Sequence, residues 1–359
     1  MNTPDPMALL ERVVARMPDP VGREQASLLE TELAATHGVA HAVVVSSGTA
    51  ALHTALVARG IGEGDEVLLP ALTVIMTVAA VVQARAHPVF VDAGPDGEPL
   101  DLADAASKIT PRTRAVLPVH LGGQCGDLDA LAELAASAQL DLIEDACQAH
   151  GSRYHGRLLG TIGRAGCFSL KDGKLISSGE GGYLLTDDPD LAARATAFQS
   201  HWQIPAAGEP ALSRLGTNYR LAEPLAALAR VSLAGFDERL ARRRHAASRL
   251  IDLVGDVPGL IPILATSGEQ PNGYSALWRI LLPEPRRLCR RLAEVGVINS
   301  VGTFDLRAAH LHPACRPLHP ASCPRAAHAA DCLLAVPVPD DDTRLTEIAT
   351  LIRTEISAW

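Results

Sequence analysis

Residues 167–182 read CFSLKDGKLISSGEGG and contain two of the chain's three lysines, Lys171 and Lys174. The third is Lys108, and arginine supplies the rest of the 32 basic residues. Arginine stays protonated, whereas a lysine amine can lose its proton and form a Schiff base with a carbonyl compound. Lys174 lies between a predicted strand end and a glycine-rich turn, so it is a candidate to hold a carbonyl cofactor. A surface lysine on a loop is the alternative interpretation.

Short apolar strands alternate with Ala- and Leu-rich helical stretches around this segment. The predicted strands are residues 41–45, 66–69, 88–91, 115–119, 140–144, 167–170 and 183–186. The predicted helices are residues 50–59, 73–84, 127–137 and 189–199. This alternation predicts an α/β fold with a mainly parallel sheet covered by helices on both faces. Polar clusters at Ser46, Asp145 and Ser169 follow three of the strands, at the carboxyl edge where such sheets carry their active sites.

The pattern changes after about residue 223. Residues 223–254 are rich in Ala, Leu and Arg and predict one long helix that leaves the sheet. Beyond it we predict strands at 276–282 and 333–338, helices at 285–295 and 342–357, and loops at 255–262 and 313–324. We therefore predict a large domain at residues 1–235 and a smaller C-terminal α+β domain at residues 236–359.

The composition, with 47% hydrophobic and 20% charged residues, is typical of a folded, soluble protein. A net charge of −9 gives no basic surface of the kind that binds nucleic acid. Seven irregularly spaced cysteines favour reduced thiols in a cytoplasm, and the first residues lack the basic-then-apolar order of a signal peptide. We therefore expect a cytoplasmic protein with no nucleic-acid partner.

The uncharged stretch of residues 67–84 is almost long enough for a marginal membrane helix. It contains Pro70 together with polar residues at Thr73, Thr77 and Gln83. We predict a buried strand, a break at Pro70 and a buried helix, and no membrane span.

Residues 46–52 (SSGTAAL) close one predicted strand and open a helix. The N-terminus of a helix offers unpaired amides and the positive end of the helix dipole, so it binds phosphate well. Simple N-capping by Ser or Thr is the alternative.

Residues 144–151 (EDACQAHG) place the Asp145 carboxylate at the end of an apolar strand. A buried carboxylate is costly unless it has a cationic partner, and a protonated pyridine ring is such a partner. The alternatives are that Asp145 caps the next helix or that it forms a metal site with His150. We find no further metal ligand at a recognisable spacing.

Four features follow one another along the chain: a phosphate-type cap, a strand-end aspartate, Ser-x-x-x-x-Lys and Gly-Glu-Gly-Gly. With these features in this order, the chain resembles the DegT/StrS-type aminotransferases. These pyridoxal 5′-phosphate (PLP) enzymes of fold type I mostly aminate keto-sugars and related cyclic ketones. The matching segments are residues 46–52, 62–70, 88–92, 113–120, 144–151, 168–182 and 216–220. The resemblance runs from about residue 28 to residue 244. It implies a mainly parallel seven-stranded sheet between helices and a smaller α+β domain.

The resemblance also implies roles for single residues. Lys174, five positions after Ser169 and five before Gly179, matches the Schiff-base lysine. Asp145 would pair with the pyridine nitrogen, and Gln148 would contact the ring. The residues that would hold the phosphate are Gly48, Thr49, Ala50 and Ser169. Asn218 matches an asparagine that family members insert into the neighbouring subunit's phosphate site, which implies a homodimer with shared active sites.

Three features depart from the family's pattern. Val74 stands where relatives commonly place an aromatic residue over the cofactor ring. Residues 170–173 lack the usual aromatic residue and proline, and Leu175 replaces a frequent asparagine. The Gly-Lys-Leu core is more similar to the family branch that handles cyclitols and aminobenzoate precursors.

The resemblance implies a ping-pong transamination in secondary-metabolite or amino-sugar biosynthesis. Glutamate or glutamine would donate the amino group, and a keto-sugar, cyclitol ketone or related cyclic ketone would accept it. Lys174 would serve first as covalent anchor and then as general base. The residues expected at the acceptor site are Trp202, Tyr219, His310 and His312. Core packing of Trp202, and loop packing of both histidines, are the alternatives.

Two other functions stay open on the sequence. One is a PLP enzyme of the elimination or dehydration type, although relatives that dehydrate carry histidine in place of the lysine. The other is a PLP-binding regulatory protein. A cysteine desulfurase would need a mobile nucleophilic thiol, and Cys315 and Cys323 in a proline-rich loop are more simply read as structural.

Overall fold

The computed structural model describes residues 6–16, 22–95, 97–206, 208–318, 320–339 and 341–359. The first five residues, for which we predict no signal peptide, lie outside these ranges. The helices are α1 Pro6–Arg16, α2 Glu24–His37, α3 Gly48–Ala58, α4 Ile75–Gln83, α5 Leu102–Ser107, α6 Leu128–Ser137, α7 Pro189–Gln199, α8 Glu223–Ala234, α9 Phe236–Val254, α10 Pro285–Glu294, α11 Pro324–Cys332 and α12 Asp342–Ser357. Short 3-10 helices span Leu121–Gly123, Ala309–Leu311 and Pro313–Leu318.

The strands are β1 His41–Val45, β2 Glu66–Pro70, β3 His87–Val91, β4 Thr113–Val116, β5 Asp141–Asp145, β6 Arg153–Tyr154, β7 Arg157–Leu158, β8 Ala165–Ser169, β9 Gly182–Thr186, β10 Leu260–Pro262, β11 Glu269–Gln270, β12 Ser275–Ile280 and β13 Leu333–Pro337. Within the described residues, seven of them form the main sheet in the order β1-β9-β8-β5-β4-β2-β3. Only β9 runs against the others in this sheet, since it pairs antiparallel with both β1 and β8. The predicted mainly parallel seven-stranded sheet is confirmed.

Helices cover both faces of the main sheet, as predicted. Alternate strand residues face opposite sides, so Val43 and Val45 join one buried cluster while Ala42 and Val44 join the other. Helices α3, α4 and α7 supply the first cluster, and α2, α6 and α8 supply the second. Parallel strands buried on both faces need this double cover.

The uncharged segment 67–84 folds as the predicted strand, break and helix. Strand β2 ends at Pro70, and helix α4 begins at Ile75. Val67, Leu68 and Leu69 are fully buried. In the part of the chain that the structure describes, we find no helix long and apolar enough to cross a membrane.

The prediction of one helix over residues 223–254 is wrong, because the segment forms two helices that meet at Gly235. Gly235 adopts φ −102° and ψ 18°, and its amide donates to the carbonyl of Ser232, three residues back. A Cβ at this position would press on the guanidinium of Arg239. Glycine is a poor helix former, which favours a break between the two helices at this position.

A second sheet of three antiparallel strands, β10-β12-β13, lies in the C-terminal part of the chain. Its core includes Trp278 from β12, Leu288 from α10 and Ile352 from α12. The strands and helices predicted here are confirmed to within two residues at each end. The predicted loop 255–262 contains β10, and the predicted loop 313–324 contains a 3-10 helix, while residue 319 lies outside the described residues.

The boundary at residues 235 and 236 stays a prediction. Helix α9 contributes Phe236 to the core beneath the main sheet and Leu250 to the core of the second sheet. The C-terminal chain also returns to the main sheet, where Ala309, Cys315 and Ala326 join its core. The two cores are therefore connected at more than one place.

Candidate active site

The first turn of α3 meets the ends of β5 and β8 at the carboxyl edge of the main sheet. A Cβ added to Gly48 would lie 2.8 Å from Cys147 Sγ and 2.9 Å from Ser169 Cβ. On the other side, a Cβ added to Gly182 would overlap the backbone of Ser47. Glycine at positions 48 and 182 therefore permits the close approach of four segments, the start of α3, the ends of β5 and β8 and the start of β9, and the turn lies in a cradle that a side chain would fill.

The start of α3 combines an N-cap with two amides that have no acceptor within the helix. Ser47 Oγ accepts a hydrogen bond from the Ala50 amide at 3.0 Å, so the N-capping interpretation is confirmed for Ser47. The amides of Gly48 and Thr49 belong to the first turn, where a helix provides no acceptor. Together with the helix dipole they could bind an anion, and Ser169, which is half-buried, lies beside them.

Asp145 is 3% exposed at the end of β5, and its carboxylate is held at both oxygens. Oδ2 accepts from Thr77 Oγ1 at 2.7 Å, and Oδ1 accepts from the Cys147 amide at 3.1 Å. Thr73 Oγ1 donates in turn to Thr77 Oγ1 at 3.1 Å. Because each carboxylate oxygen can accept more than one hydrogen bond, the fixed group keeps acceptor capacity for a cationic partner.

The two threonines were not predicted as site residues. Thr73 and Thr77 lie in the otherwise apolar stretch that covers β2 and α4, and both are buried. Buried hydroxyls are usually hydrogen-bonded, so two threonines four residues apart, one before α4 and one within it, are a signal that a polar partner lies nearby. Their spacing does not say which partner.

Lys174 lies in the turn between β8 and β9 and points toward Tyr274. Its Nζ donates to Tyr274 Oη at 3.1 Å and lies 4.5 Å from the centroid of that ring. The turn is anchored by Leu175 and Ile176, which are almost completely buried. Lys171 is exposed, whereas Lys174 is half-buried, so the two lysines of the segment differ in their surroundings.

Gln148 and the segment behind Asp145 are tied to residues 272–274. Gln148 Oε1 accepts from the Gly122 amide at 2.8 Å. Asn272 Nδ2 donates to the carbonyls of Gln148 and His150 at 2.9 and 3.1 Å. Sequence reasoning missed Asn272 and Tyr274, because Asn-Gly before a strand indicates only a turn.

His150 lies in an apolar layer next to this edge. It is 1% exposed and contacts the rings of Phe168 and Tyr183. Burial, and then the positive charge of Lys174, hold the pKa of His150 well below its ordinary value, so the ring is neutral at neutral pH. Among the described residues, we find no group of three or more His, Cys, Asp or Glu side chains placed to bind a metal ion.

Glu144, next to Asp145, points to the opposite face of the sheet and organises a loop. His120 Nε2 lies 2.9 Å from Glu144 Oε2, and the amides of Gly160, Ile162 and Gly163 donate to the same carboxylate. Burial would raise the pKa of Glu144, but the hydrogen bond from His120 and those from the amides outweigh it and lower the pKa. Glu144 therefore stays ionised as a structural group.

The four residues expected at the acceptor site lie in two places. Trp202 is 4% exposed, packs with Phe198 and donates from Nε1 to Glu209 at 3.0 Å. Tyr219 packs on Phe198, and its Oη lies 3.1 Å from His53 Nδ1. Contact with substrate stays a prediction for both, although the burial of Trp202 matches the alternative of core packing.

His310 lies in the 3-10 helix Ala309–Leu311 and His312 follows it, in a segment that is bound to the residue after β2. The Ala309 amide donates to the Ala71 carbonyl at 2.7 Å. His310 is half-buried, burial lowers its pKa, and its Nδ1 has no partner among the described residues. His312 Nδ1 accepts from the Ala314 amide at 3.2 Å, which is the predicted alternative of loop packing. Their role toward substrate also stays a prediction.

Three further positions bear on the predicted cofactor site. Asn218 is exposed and lines a cavity of about 260 Å³ with Arg23 and Arg220. Val74 is half-buried at the start of α4. Leu175, which replaces a frequent asparagine, is 2% exposed.

The thiols considered for a desulfurase are buried. Cys315 and Cys323 are 1% and 0% exposed. Burial raises the pKa of Cys323 to about 11 and also raises the pKa of Cys315. A thiol of this kind is a poor nucleophile at neutral pH.

Known proteins were compared with the chain in sequence and in structure. The model of the DegT/DnrJ/EryC1/StrS aminotransferase family matches residues 21–350. The chain is 37% identical over 287 residues to 3-amino-5-hydroxybenzoate synthase of Amycolatopsis mediterranei, covering 77% of this chain and 73% of that enzyme. It is 40% identical over 247 residues to L-glutamine:2-deoxy-scyllo-inosose aminotransferase of Micromonospora echinospora, covering 66% of this chain and 59% of that enzyme.

Solved structures give the same picture over nearly the whole chain. The fold is similar to that of S. venezuelae DesV in complex with a ketimine intermediate. The TM-score is 0.85 at 33% sequence identity, and the match covers 98% of this chain and 95% of DesV.

Proposed function

This chain belongs to the DegT/DnrJ/EryC1/StrS aminotransferase family, and on that premise we propose that it transfers an amino group from glutamate or glutamine to a cyclic ketone. It has the PLP-dependent transferase fold type I and is a PLP-dependent aminotransferase. The single observation that carries the proposal is that the start of α3 lies against Cys147 and Ser169, which stand two residues after Asp145 and five residues before Lys174.

The residues at the carboxyl edge of the main sheet fit PLP part by part. The cradle around Gly48, with the free amides of the first turn and Ser169, suits the phosphate. The Asp145 carboxylate could pair with the protonated ring nitrogen, and the amine of Lys174 could form a Schiff base with the carbonyl carbon. The Ala50 amide already has an acceptor in Ser47, so its part in holding the phosphate would be the smallest. When bound, PLP supplies an electron sink for negative charge on the donor's α-carbon.

We propose the following roles for the chain's own residues. Lys174 anchors the cofactor covalently and, once an amino donor has displaced it, accepts the proton from the donor's α-carbon. Asp145, held by Thr77 and the Cys147 amide, keeps a proton on the ring nitrogen. Gln148 lies on the same segment, with its side chain held by Gly122. Val74 offers aliphatic contact and no aromatic stacking to the ring.

The proposed acceptor is a keto-sugar, a cyclitol ketone or a related cyclic ketone, in amino-sugar or secondary-metabolite biosynthesis. The names of two relatives support this class, since one makes 3-amino-5-hydroxybenzoate and the other uses glutamine and 2-deoxy-scyllo-inosose. The Gly-Lys-Leu core around Lys174 favours the cyclitol and aminobenzoate branch. The cytoplasmic location stays a prediction, supported by seven cysteines that are all free.

The experiment is a donor and acceptor panel with the purified, PLP-loaded protein. ¹⁵N-labelled glutamate or glutamine is added with cyclitol ketones, nucleotide-linked keto-sugars or open-chain keto acids, and products are followed by mass spectrometry. We expect ¹⁵N in a cyclic amine. Label that enters only open-chain keto acids contradicts the acceptor class. A PLP-bound protein that reacts with no donor favours the regulatory alternative, and release of ammonia or water without transfer favours the elimination type.

We also propose a homodimer in which Asn218 reaches the partner's phosphate site. Asn218 is exposed, and the preceding residues Leu212 and Leu215 are 69% and 98% exposed. Exposed large apolar side chains of this kind are typical of an interaction surface. A second copy of the chain would cover them.

Mixing two inactive variants tests the shared site. If Lys174→Ala and Asn218→Ala subunits exchange, each mixed dimer has one intact site and one doubly altered site. The mixture should recover about one quarter of wild-type activity, and light scattering should give a dimer mass. An Asn218→Ala variant with normal turnover, or a mixture without recovery after proven exchange, contradicts the arrangement.

A further inference from the structure

Tyr274 contacts Lys174 through both its hydroxyl and its ring. The Nζ–Oη distance is 3.1 Å, and Nζ lies 4.5 Å from the ring centroid. A hydrogen bond to the hydroxyl and contact with the ring restrain the amine in different directions. Together they define one position for the end of a flexible side chain.

The backbone of Tyr274 is itself held in place. The Tyr274 amide donates to Asn272 Oδ1 at 2.9 Å, and the Asn272 amide donates to Ser152 Oγ at 3.1 Å. Asn272 is 1% exposed. Gly273 has φ +73°, and a Cβ there would collide with the Arg243 carbonyl, so the turn requires glycine.

The same asparagine connects Tyr274 to the segment that follows Asp145. Asn272 Nδ2 donates to the carbonyls of Gln148 and His150, three and five residues after Asp145. The phenol is therefore placed relative to the cofactor-binding edge by buried hydrogen bonds. Tyr274 also begins the approach to β12 of the second sheet, so both parts of the chain contribute to the surroundings of Lys174.

Lys174 is proposed to anchor the cofactor first and to act as general base afterwards, so its amine needs to be held in place after it is displaced. Its side chain has four rotatable carbon–carbon bonds, and a general base works only within hydrogen-bond reach of the proton that it takes. As long as Lys174 is bound to the cofactor, the covalent bond fixes it. After displacement by the amino donor, only non-covalent contacts can hold the amine.

We propose that Tyr274 is a positioning residue, which holds the displaced amine of Lys174 beside the donor's α-carbon; this inference rests on the proposed function. The lone pair of Nζ would take the α-proton, and the electron pair of the broken C–H bond would stay on the donor's α-carbon, for which bound PLP would supply the electron sink. Tyr274 Oη accepts a hydrogen bond from Nζ and exchanges no proton.

The test is Tyr274→Phe, which keeps the ring and removes the hydroxyl. We expect the single-turnover rate with saturating donor to fall about 10- to 100-fold, since a mispositioned base loses part of its usual rate effect. The isotope effect with α-deuterated donor should rise, because proton transfer becomes slower than the other steps. PLP affinity should change little, since Lys174 itself is intact.

A second readout needs no cofactor. In the PLP-free protein, trinitrobenzenesulfonate labels lysine amines, and peptide mass spectrometry separates the three lysines. Labelling of Lys174 should be faster in Tyr274→Phe, while exposed Lys171 serves as an internal reference. Tyr154→Phe is the matched control, since Tyr154 is buried and its hydroxyl donates to Asp127 at 3.3 Å, outside the site.

The outcomes separate this inference from the proposed function. A wild-type protein that reacts with no amino donor contradicts the proposed function. A reactive wild type, with Tyr274→Phe unchanged in rate, isotope effect and Lys174 labelling, overturns only the role of Tyr274. If Tyr274→Phe does not fold, Asn272→Ser replaces it as the test, because this variant loosens the turn but keeps the phenol. It should show the same changes in rate, isotope effect and Lys174 labelling to a smaller extent. An Asn272→Ser protein without these changes would overturn the role of Tyr274.

Discussion

The Lys174→Ala protein is expected to stay folded and to lose amino transfer. Loss of the covalent anchor and of the general base should lower turnover by at least about 10⁴-fold. The fold should persist because Lys174 is only half-buried, and the turn is anchored by the neighbouring Leu175 and Ile176. The measurement is the visible absorption band of lysine-bound PLP, recorded together with single-turnover kinetics and thermal unfolding.

Lys171→Ala is the matched control for this variant. Lys171 lies three residues earlier in the same turn and is exposed, so its removal should leave the band and turnover unchanged. Normal turnover in Lys174→Ala would contradict the assignment of Lys174 as the catalytic lysine. No band in the wild-type protein with added PLP would overturn the site that we propose for the cofactor.

The Asp145→Asn protein should still capture PLP through Lys174 but turn over about 10²- to 10⁴-fold more slowly. Removing one charge of a buried pair costs about 3–5 kcal/mol, and each 1.36 kcal/mol in the barrier is about tenfold in rate. The amide is nearly isosteric and can still accept from Thr77, which donates to Asp145 at 2.7 Å. The measurement is single-turnover kinetics alongside a PLP titration.

Asp141→Asn at the opposite end of β5 is the control for charge loss on the same strand. Asp141 pairs with Arg59 and Arg164 near the surface, where ion pairs contribute about 0–1 kcal/mol. We expect a small change in stability and unchanged turnover. Wild-type turnover in Asp145→Asn would mean that this carboxylate does not hold the ring proton.

Much of the fold could be predicted from local pattern. The strands of the main sheet are apolar runs of five residues or fewer, and their predicted bounds agree with the structure to within three residues. Helix α2 was not predicted, although Ala26, Leu29 and Leu33 recur at helical spacing and are buried. The break at Gly235 was missed, since an isolated glycine does not always end a helix.

The shortest strands carry no usable local signal. Strands β6, β7 and β11 have two residues each. Tyr154 of β6 pairs with Glu269 of β11, a residue from a distant part of the chain. Such pairs form because packing brings two segments together, and their own residues do not predict it.

The sequence by itself determined the chemistry that is available at the carboxyl edge of the sheet. Lysine is rare in this chain, Asp145 ends a strand, and a helix begins just after Ser47. Each feature depends on residues within a few positions of one another, and local backbone preference is enough to place it. The order of the features supported the resemblance to the family.

Only the tertiary structure decided which groups hold these residues. Thr77 binds Asp145 across 68 positions, and Tyr274 binds Lys174 across 100 positions. Hydrogen bonds between such distant segments depend on how helices pack on the sheet and on how the second sheet packs beside it. Periodicity describes one element at a time, so it contains no information about which side chains two elements bring into contact.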